Sequence, residues 1–397
     1  MVRKCVTISI NASWNIFNFR AGLVRGLNES GYEVVAAAPF DDYSARLPGL
    51  GCCHVALPMD SKGSSPIHDA ILFLRYLRLL RRLRPDAFLG YTVKPNIYGS
   101  LAAHWLGIPV INNVSGLGTV FVRENWLTKL VKLLYRLALR SSNTVFFQNE
   151  EDRELFVRLG LVRPGRAMLL PGSGVDLHKF RPQPASPPSG DATPSFLLIA
   201  RLIWEKGVGE YVEAARLVKQ RFPEARFQIL GFLDVANRGA ISKAQMDEWV
   251  KEGIIEYLGV TDDVRPAIAG ASCVVLPSYY PEGTPRTLLE AAAMGKPLIA
   301  TDMPGCRNAV SDGINGLLCA ARDHKDLAQK LIDFLSLDPP AQERMGLASR
   351  RKAEVEFDEQ IVVGRYLAAI EDAIGRRDLR ATADASTSPC NRRGWRW

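Results

Sequence analysis

The sequence predicts an α/β protein of two lobes, each a parallel sheet covered by helices on both faces. Three observations carry this. Short apolar runs alternate with helical periodicity along the chain. A proline-rich break interrupts the alternation near the middle. The 397 residues exceed one ordinary domain of roughly 100–200 residues. With 47% hydrophobic and 23% charged residues, the composition is globular and excludes a disordered chain, a fibre or a coiled coil. No run approaches the ~18 uninterrupted apolar residues of a membrane-spanning helix.

The first lobe opens on Val6–Ile10, a run rich in β-branched residues that reads as a buried strand. The N-terminus lacks an apolar signal core and a small-residue cleavage site, so the expected location is the cytoplasm. Val34–Ala38, Ala87–Gly90, Val110–Asn113 and Val145–Gln148 supply further strands, and 19–30, 70–84, 97–106 and 125–140 the helices between them. At 181–195, RPQPASPPSGDATPS cannot form a core and reads as a linker. The alternation then resumes. Ser195–Ile199, Arg226–Leu230, Ile255–Tyr257, Cys273–Pro277 and Pro297–Ala300 are expected as strands, with helices at 207–221, 240–251, 285–294 and 323–335. The predicted domains are therefore 1–180 and 196–356. An amphipathic helix over 357–375 follows, then a tail, 376–397, expected to be disordered for want of aliphatic residues. Two such lobes would turn their strands' carboxyl ends toward a shared cleft, where parallel sheets bind ligands.

Charge is unevenly placed. The formal net charge is +8, yet residues 1–180 carry 22 basic and 13 acidic side chains, whereas 181–375 carry 22 and 27. The first lobe is thus expected to face something negative: lipid head groups, phosphates or nucleic acid. The seven cysteines show no C-x-x-C spacing, and Cys5, Cys273, Cys306 and Cys319 lie in or beside apolar runs. That pattern predicts reduced, buried thiols rather than a disulfide framework or a zinc site.

The dinucleotide and P-loop glycine motifs are missing, as are D-x-D, G-x-S-x-G and any metal-ligand spacing. The expectation is therefore a ligand held by protein groups alone, with no metal and no bound cofactor. The richest segment is S-Y-Y-P-E-G-T-P-R-T-L-L-E-A-A-A-M-G-K-P, residues 278–297. Glu282 sits on the loop, Gly283 and Thr284 open a turn, and a helix runs from Pro285 to a stop at Gly295. Backbone N–H groups from Gly283 to Thr287 would form an anion cradle at the positive end of the helix. Glu290, eight residues after Glu282, could accept both hydroxyls of a ribose while Glu282 meets a second polyol. Two glutamates at this spacing also fit an ordinary solvated helix. In L-L-I-A-R-L-I-W-E-K-G, residues 197–207, Arg201 and Lys206 leave the end of a strand. Two cations there suit a diphosphate and would stabilise it as a leaving group.

These residues resemble the retaining, nucleotide-sugar-dependent glycosyltransferases of family 4, whose GT-B fold has two facing Rossmann-like lobes. The E-x7-E motif is matched by Glu282 and Glu290, and the R-x4-K pair by Arg201 and Lys206. P-G-S-G-V-D-L-H-K-F (171–180), L-G-F (230–232, with Gly231), L-G-V-T-D-D-V (258–264) and D-G-I-N-G-L-L (312–318) are also similar to family segments. The resemblance implies that Arg201 and Lys206 bind the donor diphosphate, the amides of Thr287 and Leu288 hold phosphate, and Glu290 binds the ribose. Glu282 would contact the donor sugar, and the C-terminal helix would pack back toward the first lobe. Leaving-phosphate oxygen would help deprotonate the acceptor, so that no separate general base is required. Two departures stand out. The usual glycine pair of the first loop is replaced by N-A-S-W-N-I-F-N-F-R (11–20), and Arg286 stands where an Asn is common. Asn11, Ser13, Asn18, Lys94, Asn96 and Ser115 are the candidate acceptor-side groups. N-V-S-G-L-G (113–118) is similar to members that assemble polysaccharides.

In N-W-L-T-K-L-V-K-L-L-Y-R-L-A-L-R, residues 125–140, Lys129, Lys132, Arg136 and Arg140 share a helical face beside leucines. Arg75, Arg78 and Arg82 repeat the pattern on the helix over 71–84. Such helices suit an anionic membrane surface at ~1 kcal/mol per basic residue, and equally a core helix with a solvated face. No nucleic-acid recognition motif appears. With the family's lipid-linked acceptors in view, the expectation is a peripheral enzyme on the inner face of the cytoplasmic membrane. It would move sugar from a UDP-sugar to a polyprenyl-diphosphate-linked saccharide. The alternatives are a soluble enzyme of the same fold with a small-molecule or polymer acceptor, a two-lobed nucleotide-sugar epimerase, and a non-catalytic scaffold.

Overall fold

The computed structural model describes residues 3–60, 65–116, 126–183, 193–233, 237 and 239–387, with side chains except at 126, 127 and 380–387. Two all-parallel sheets form the two lobes. The first comprises β1 (Cys5–Ser9), β2 (Glu33–Ala38), β3 (Cys52–Ala56), β4 (Ala87–Tyr91), β5 (Val110–Val114), β6 (Thr144–Phe147) and β7 (Ala167–Leu169), in the order β3-β2-β1-β4-β5-β6-β7. Its helices are α1 (Ser13–Phe19), α2 (Ala21–Glu29), α3 (Pro66–Leu83), α4 (Ser100–Trp105), α5 (Trp126–Leu139) and α6 (Glu150–Arg158). The second comprises β8 (Ser195–Ile199), β9 (Arg226–Leu230), β10 (Glu256–Tyr257), β11 (Cys273–Leu276), β12 (Leu298–Thr301) and β13 (Gly316–Cys319), in the order β10-β9-β8-β11-β12-β13. Between and after these run α7 (Val208–Lys219), α8 (Lys243–Lys251), α9 (Arg265–Gly270), α10 (Arg286–Ala293), α11 (Pro304–Ala309), α12 (His324–Leu335), α13 (Pro339–Glu356) and α14 (Glu359–Thr387).

The buried strands are near-continuous apolar runs because both faces of each sheet are covered. On one face of the first sheet, Val6, Ile8, Val34 and Leu89 pack with Leu23, Val24 and Leu27 of α2. The same core takes Val362, Tyr366, Ala369, Ile370, Ala373 and Ile374 of α14, which recur at helical spacing. The last helix thus returns to the first lobe, as the resemblance implies. The opposite face is closed by α3 and α4 around Tyr76 and Phe88, and by α5 and α6 around Tyr135 and Phe156. The second sheet has its own two cores, one holding Phe196, Tyr211 and Phe227, the other Leu197, Val274 and Leu288.

Several expectations need correction. Residues 11–20 are not an open loop, because Ser13–Phe19 forms α1 with Ile16 buried. Strand β3 escaped the pattern since, at the sheet edge, only Cys52 of its five residues is buried and His54 interrupts the short apolar run. The tail is helical through Thr387 rather than disordered from 376. Ile374 still anchors α14, and Arg376 and Arg377 continue it through ion pairs to Asp372 and Asp86, each 2.8 Å. Val175 and Phe180 already pack in a second-lobe core, so the first lobe ends before the expected boundary at 180. Residues 184–192 of the expected linker, Leu117 and Gly118 of the 113–118 segment, Asn125 and 388–397 lie outside the described residues. The six described cysteines are free thiols, with Cys52, Cys273, Cys306 and Cys319 buried and Cys53 exposed.

Candidate functional site

Both sheets reverse their strand order beside the first strand, β1 against β4 and β8 against β11. Loops leaving two such strands diverge and open a crevice at the carboxyl edge. In the second lobe these loops carry Arg201–Lys206 and Ser278–Pro285. Lys206 ends a short 3-10 turn, Trp204–Lys206, and Gly207 at φ +76° begins α7. A Cβ at Gly207 would stand 2.1 Å from the Pro277 carbonyl oxygen. Only glycine lets the loop after β8 lie on the end of β11 in this conformation.

That contact brings Lys206 to Glu282. Its Nζ donates to both carboxylate oxygens at 2.5 Å, with the side chains 8% and 19% exposed. Ser278 Oγ donates to Glu282 Oε1 at 2.9 Å, and the Tyr280 ring lies 5.7 Å from Lys206 Nζ and 5.9 Å from the Arg201 guanidinium. Arg201 is exposed and forms no ion pair among the described residues. Ser278 and Tyr280 were not singled out from sequence; their only signal is position, four and two residues before Glu282.

Eight residues on, Glu290 pairs with Arg286, whose Nε donates to Oε1 at 2.9 Å. Burial pushes the Glu290 carboxyl above its ordinary range, while Arg286 pulls it back. Arg286 reaches further, donating from Nη1 to the Gly174 carbonyl at 2.7 Å and to Ser173 Oγ at 3.3 Å. The cradle expected over Gly283–Thr287 is only partly open. The Gly283 amide donates to the Ser115 carbonyl of the first lobe at 3.0 Å, and the Leu288 amide to Pro285 at 3.1 Å. Thr284 is buried, its hydroxyl donating to the Gln148 carbonyl at 3.4 Å. A Cβ at Gly283 would fall 2.0 Å from Gln148 Oε1, so glycine permits this meeting of the lobes. The Thr287 amide remains at the first turn of α10, at the positive end of the helix. Gly231 closes the floor after β9, its amide donating to Gly259 at 2.9 Å and its carbonyl accepting from Tyr257 Oη at 2.8 Å.

The first-lobe candidates divide differently. Ser13 is wholly buried, its hydroxyl engaging the Pro39 carbonyl, Ser44 Oγ and His54 Nε2 at 3.0, 2.9 and 3.4 Å. Asn96 is also buried, bound to the Asn113 carbonyl and to Asn112 at 2.9 Å each. Both hold the fold together, and neither offers a group to a ligand. Asn11 and Asn18 are half-buried and bonded within α1's own turn, to Asn15 and to the Trp14 carbonyl. Lys94 is tied to Asp69 at 2.7 Å, with Tyr98 Oη on the other carboxylate oxygen at 2.8 Å. Ser115 is exposed and meets Gly283 through its carbonyl. Further bridges cross the cleft, from Tyr43 to Asp262 at 3.1 Å and from Arg307 to Glu151 at 2.9 Å. Among the described residues, no three His, Cys, Asp or Glu side chains converge as metal ligands would.

On α5, Thr128, Tyr135, Ala138 and Leu139 turn inward. Lys129, Arg136 and Arg140 are exposed together with Leu130, Leu133 and Leu137, and Lys132 is half-buried. Exposed Ile67, Ile71 and Leu74 flank Arg75 and Arg78 on α3, and Trp105 at the end of α4 is 79% exposed. No helix among the described residues is long and apolar enough to cross a membrane.

Residues 193–336 match the family model described as glycosyl transferases group 1, and residues 19–172 the glycosyl transferase 4-like domain. The chain is 30% identical over 372 residues to the N,N'-diacetylbacillosaminyl-diphospho-undecaprenol alpha-1,3-N-acetylgalactosaminyltransferase of Campylobacter jejuni, covering 90% of this chain and 96% of that protein. It is 26% identical to the UDP-Gal:alpha-D-GlcNAc-diphosphoundecaprenol alpha-1,3-galactosyltransferase of Escherichia coli, over 70% of this chain and 73% of that one. A glycosyltransferase structure from Rickettsia africae superposes with a TM-score of 0.76 at 17% identity, covering 94% of this chain and 99% of that one.

Proposed function

The chain belongs to the group 1 glycosyltransferases, and on that premise we propose that it transfers a sugar from a UDP-sugar to a saccharide carried on a polyprenyl diphosphate, retaining the anomeric configuration. The observation that carries the donor half is the Lys206–Glu282 pair at the switch point of the second sheet. A lysine ammonium has three donors, and an entering diphosphate competes with Glu282 for them while Arg201 closes from the exposed side. Glu282, released in part from Lys206, is then placed to accept from a hydroxyl of the donor sugar. Glu290 accepts from the ribose hydroxyls.

In the transfer itself the bond from the anomeric carbon to the diphosphate oxygen breaks, and a bond from the same carbon to the acceptor oxygen forms on the same face. The acceptor's proton passes to the departing phosphate oxygen. Negative charge grows on the diphosphate as the bond breaks, and Lys206, Arg201 and the Thr287 amide meet it. No side chain has to act as general base.

The lipid-linked acceptor is supported by the Campylobacter and Escherichia relatives, both named for diphospho-undecaprenol substrates. A membrane surface as partner is supported by α3, α4 and α5, which lie side by side and expose arginines and lysines among Leu74, Trp105, Leu133 and Leu137. Basic side chains answer anionic head groups and exposed apolar ones enter the interface. A panel of UDP-sugars against polyprenyl-diphosphate-linked saccharides, read by mass spectrometry, tests the function. Transfer to a lipid-linked acceptor is expected. Transfer only to free saccharides, or only from another nucleotide's sugars, would overturn the reading.

A further inference from the structure

The chain passes between the lobes twice. Leu170 belongs to the first-lobe core and Val175 to a second-lobe core. On the return, Phe357 lies in the second lobe and Val362 in the first. The two crossings are bonded to each other, Val175 N to the Phe357 carbonyl at 2.8 Å and Glu359 N to the Val175 carbonyl at 3.0 Å. On the first-lobe side Arg25 of α2 grips both crossings, pairing with Asp176 at 3.3 Å and Glu359 at 3.1 Å. Any rotation of one lobe against the other must act through this double crossing.

From the second lobe, Arg286 reaches it. One guanidinium nitrogen holds Glu290 and another holds the Gly174 carbonyl and the Ser173 hydroxyl. The fork is rigid and planar, so its position on Gly174 depends on its position on Glu290. A vicinal diol that donates to both oxygens of Glu290 shares Oε1 with Arg286 Nε, and an acceptor that serves two donors holds each of them less tightly.

We propose that Arg286 is a positioning residue that relays occupancy of Glu290 by a ribose diol to the crossing between the lobes, loosening its hold on Gly174 when the diol binds. This rests on the donor reading above, which assigns the diol to Glu290. The relay needs no contact between Arg286 and the donor.

The test is hydrogen exchange at the Val175 and Glu359 amides of the full chain, with UDP as the probe and binding measured in parallel by calorimetry. UDP is expected to raise exchange at both amides about fivefold, equivalent to the ~1 kcal/mol of one net hydrogen bond. The 2',3'-dideoxy analogue of UDP keeps the phosphates and lacks the diol, and is expected to bind without the rise. Arg286→Gln is expected to bind UDP and show fast exchange that UDP no longer changes, and Arg286→Lys an intermediate response. A rise with the dideoxy analogue as large as with UDP, or a full UDP response in Arg286→Gln, overturns the relay. If Arg286→Gln does not fold, an undiminished response in Arg286→Lys overturns it equally. UDP binding to the wild type with no rise defeats this inference alone, whereas UDP that does not bind defeats the donor reading as well.

Discussion

Replacing Lys206 by Met separates the two roles of the Lys206–Glu282 pair. Methionine keeps the length of the stem and removes the charge, leaving the Glu282 carboxylate, 19% exposed, with Ser278 Oγ as its one side-chain donor among the described residues. Stripping the partner from a largely buried charge costs about 3 kcal/mol. At roughly 2–4 °C per kcal/mol, Tm should fall by about 6–12 °C. Turnover should fall by about 10²–10³, the usual cost of removing one donor to the developing charge. The double variant Lys206→Met with Glu282→Gln has no orphaned charge. It should recover most of the Tm and none of the turnover. Thermal unfolding and mass-spectrometric transfer assays on the single and double variants decide the matter. Turnover within about tenfold of wild type, ~1.4 kcal/mol in barrier, would falsify the assignment of Lys206 to the leaving group. A double variant no more stable than the single would show that the pair is not what burial makes of it.

Other consequences can be measured directly. Burial pushes the Asp152 carboxyl up to about 6 from 3.8; between those values the folded chain holds a proton the unfolded chain has lost, so this group's contribution to stability falls as pH rises through that window. Asp152→Asn should therefore gain on the wild type between pH 4 and pH 7, by about 1–3 kcal/mol in urea titrations, and a constant difference between the two would refute this. Tyr366→Phe leaves Asn113 Nδ2, which donates to Tyr366 Oη at 2.9 Å, buried without a partner. A loss of about 1–3 kcal/mol is expected in the same assay. Liposomes with anionic lipid should float the wild type, and a variant carrying Lys129, Lys132 and Arg136 as Glu should stay behind. Equal flotation of the two removes the membrane surface from the proposal.

Where the second-lobe candidates lie in the fold was largely legible in the sequence. Arg201, Lys206 and Glu282 sit on loops just beyond strands whose apolar runs are unmistakable, Glu290 follows on α10, and a loop after a parallel strand can open only on the carboxyl edge. What each carboxylate touches was not legible. Pairing Glu282 with Lys206 requires β8 and β11 to be neighbours and Gly207 to seat on Pro277, and no local pattern encodes either. The first-lobe candidates fared worse for the same reason. Ser13 and Asn96 are short polar residues near strand ends, as ligand-binding groups often are. Their partners, His54 and Asn113 among them, come from elsewhere in the chain and turn them into the core.

What the sequence determined by itself was everything that repeats locally: the alternation of strand and helix, the two lobes and the basic, leucine-rich faces of α3 and α5. These follow from periods of two and of 3.6 residues, which are properties of neighbours along the chain. What only the tertiary structure decided was occupancy. It left Arg201 exposed, set Lys206 on Glu282, engaged the Gly283 amide with Ser115, and stretched Arg286 from Glu290 to the crossing between the lobes. A polar group's availability to a ligand depends on whether another group has already taken its hydrogen bonds, and those partners are distant in sequence and adjacent only after folding.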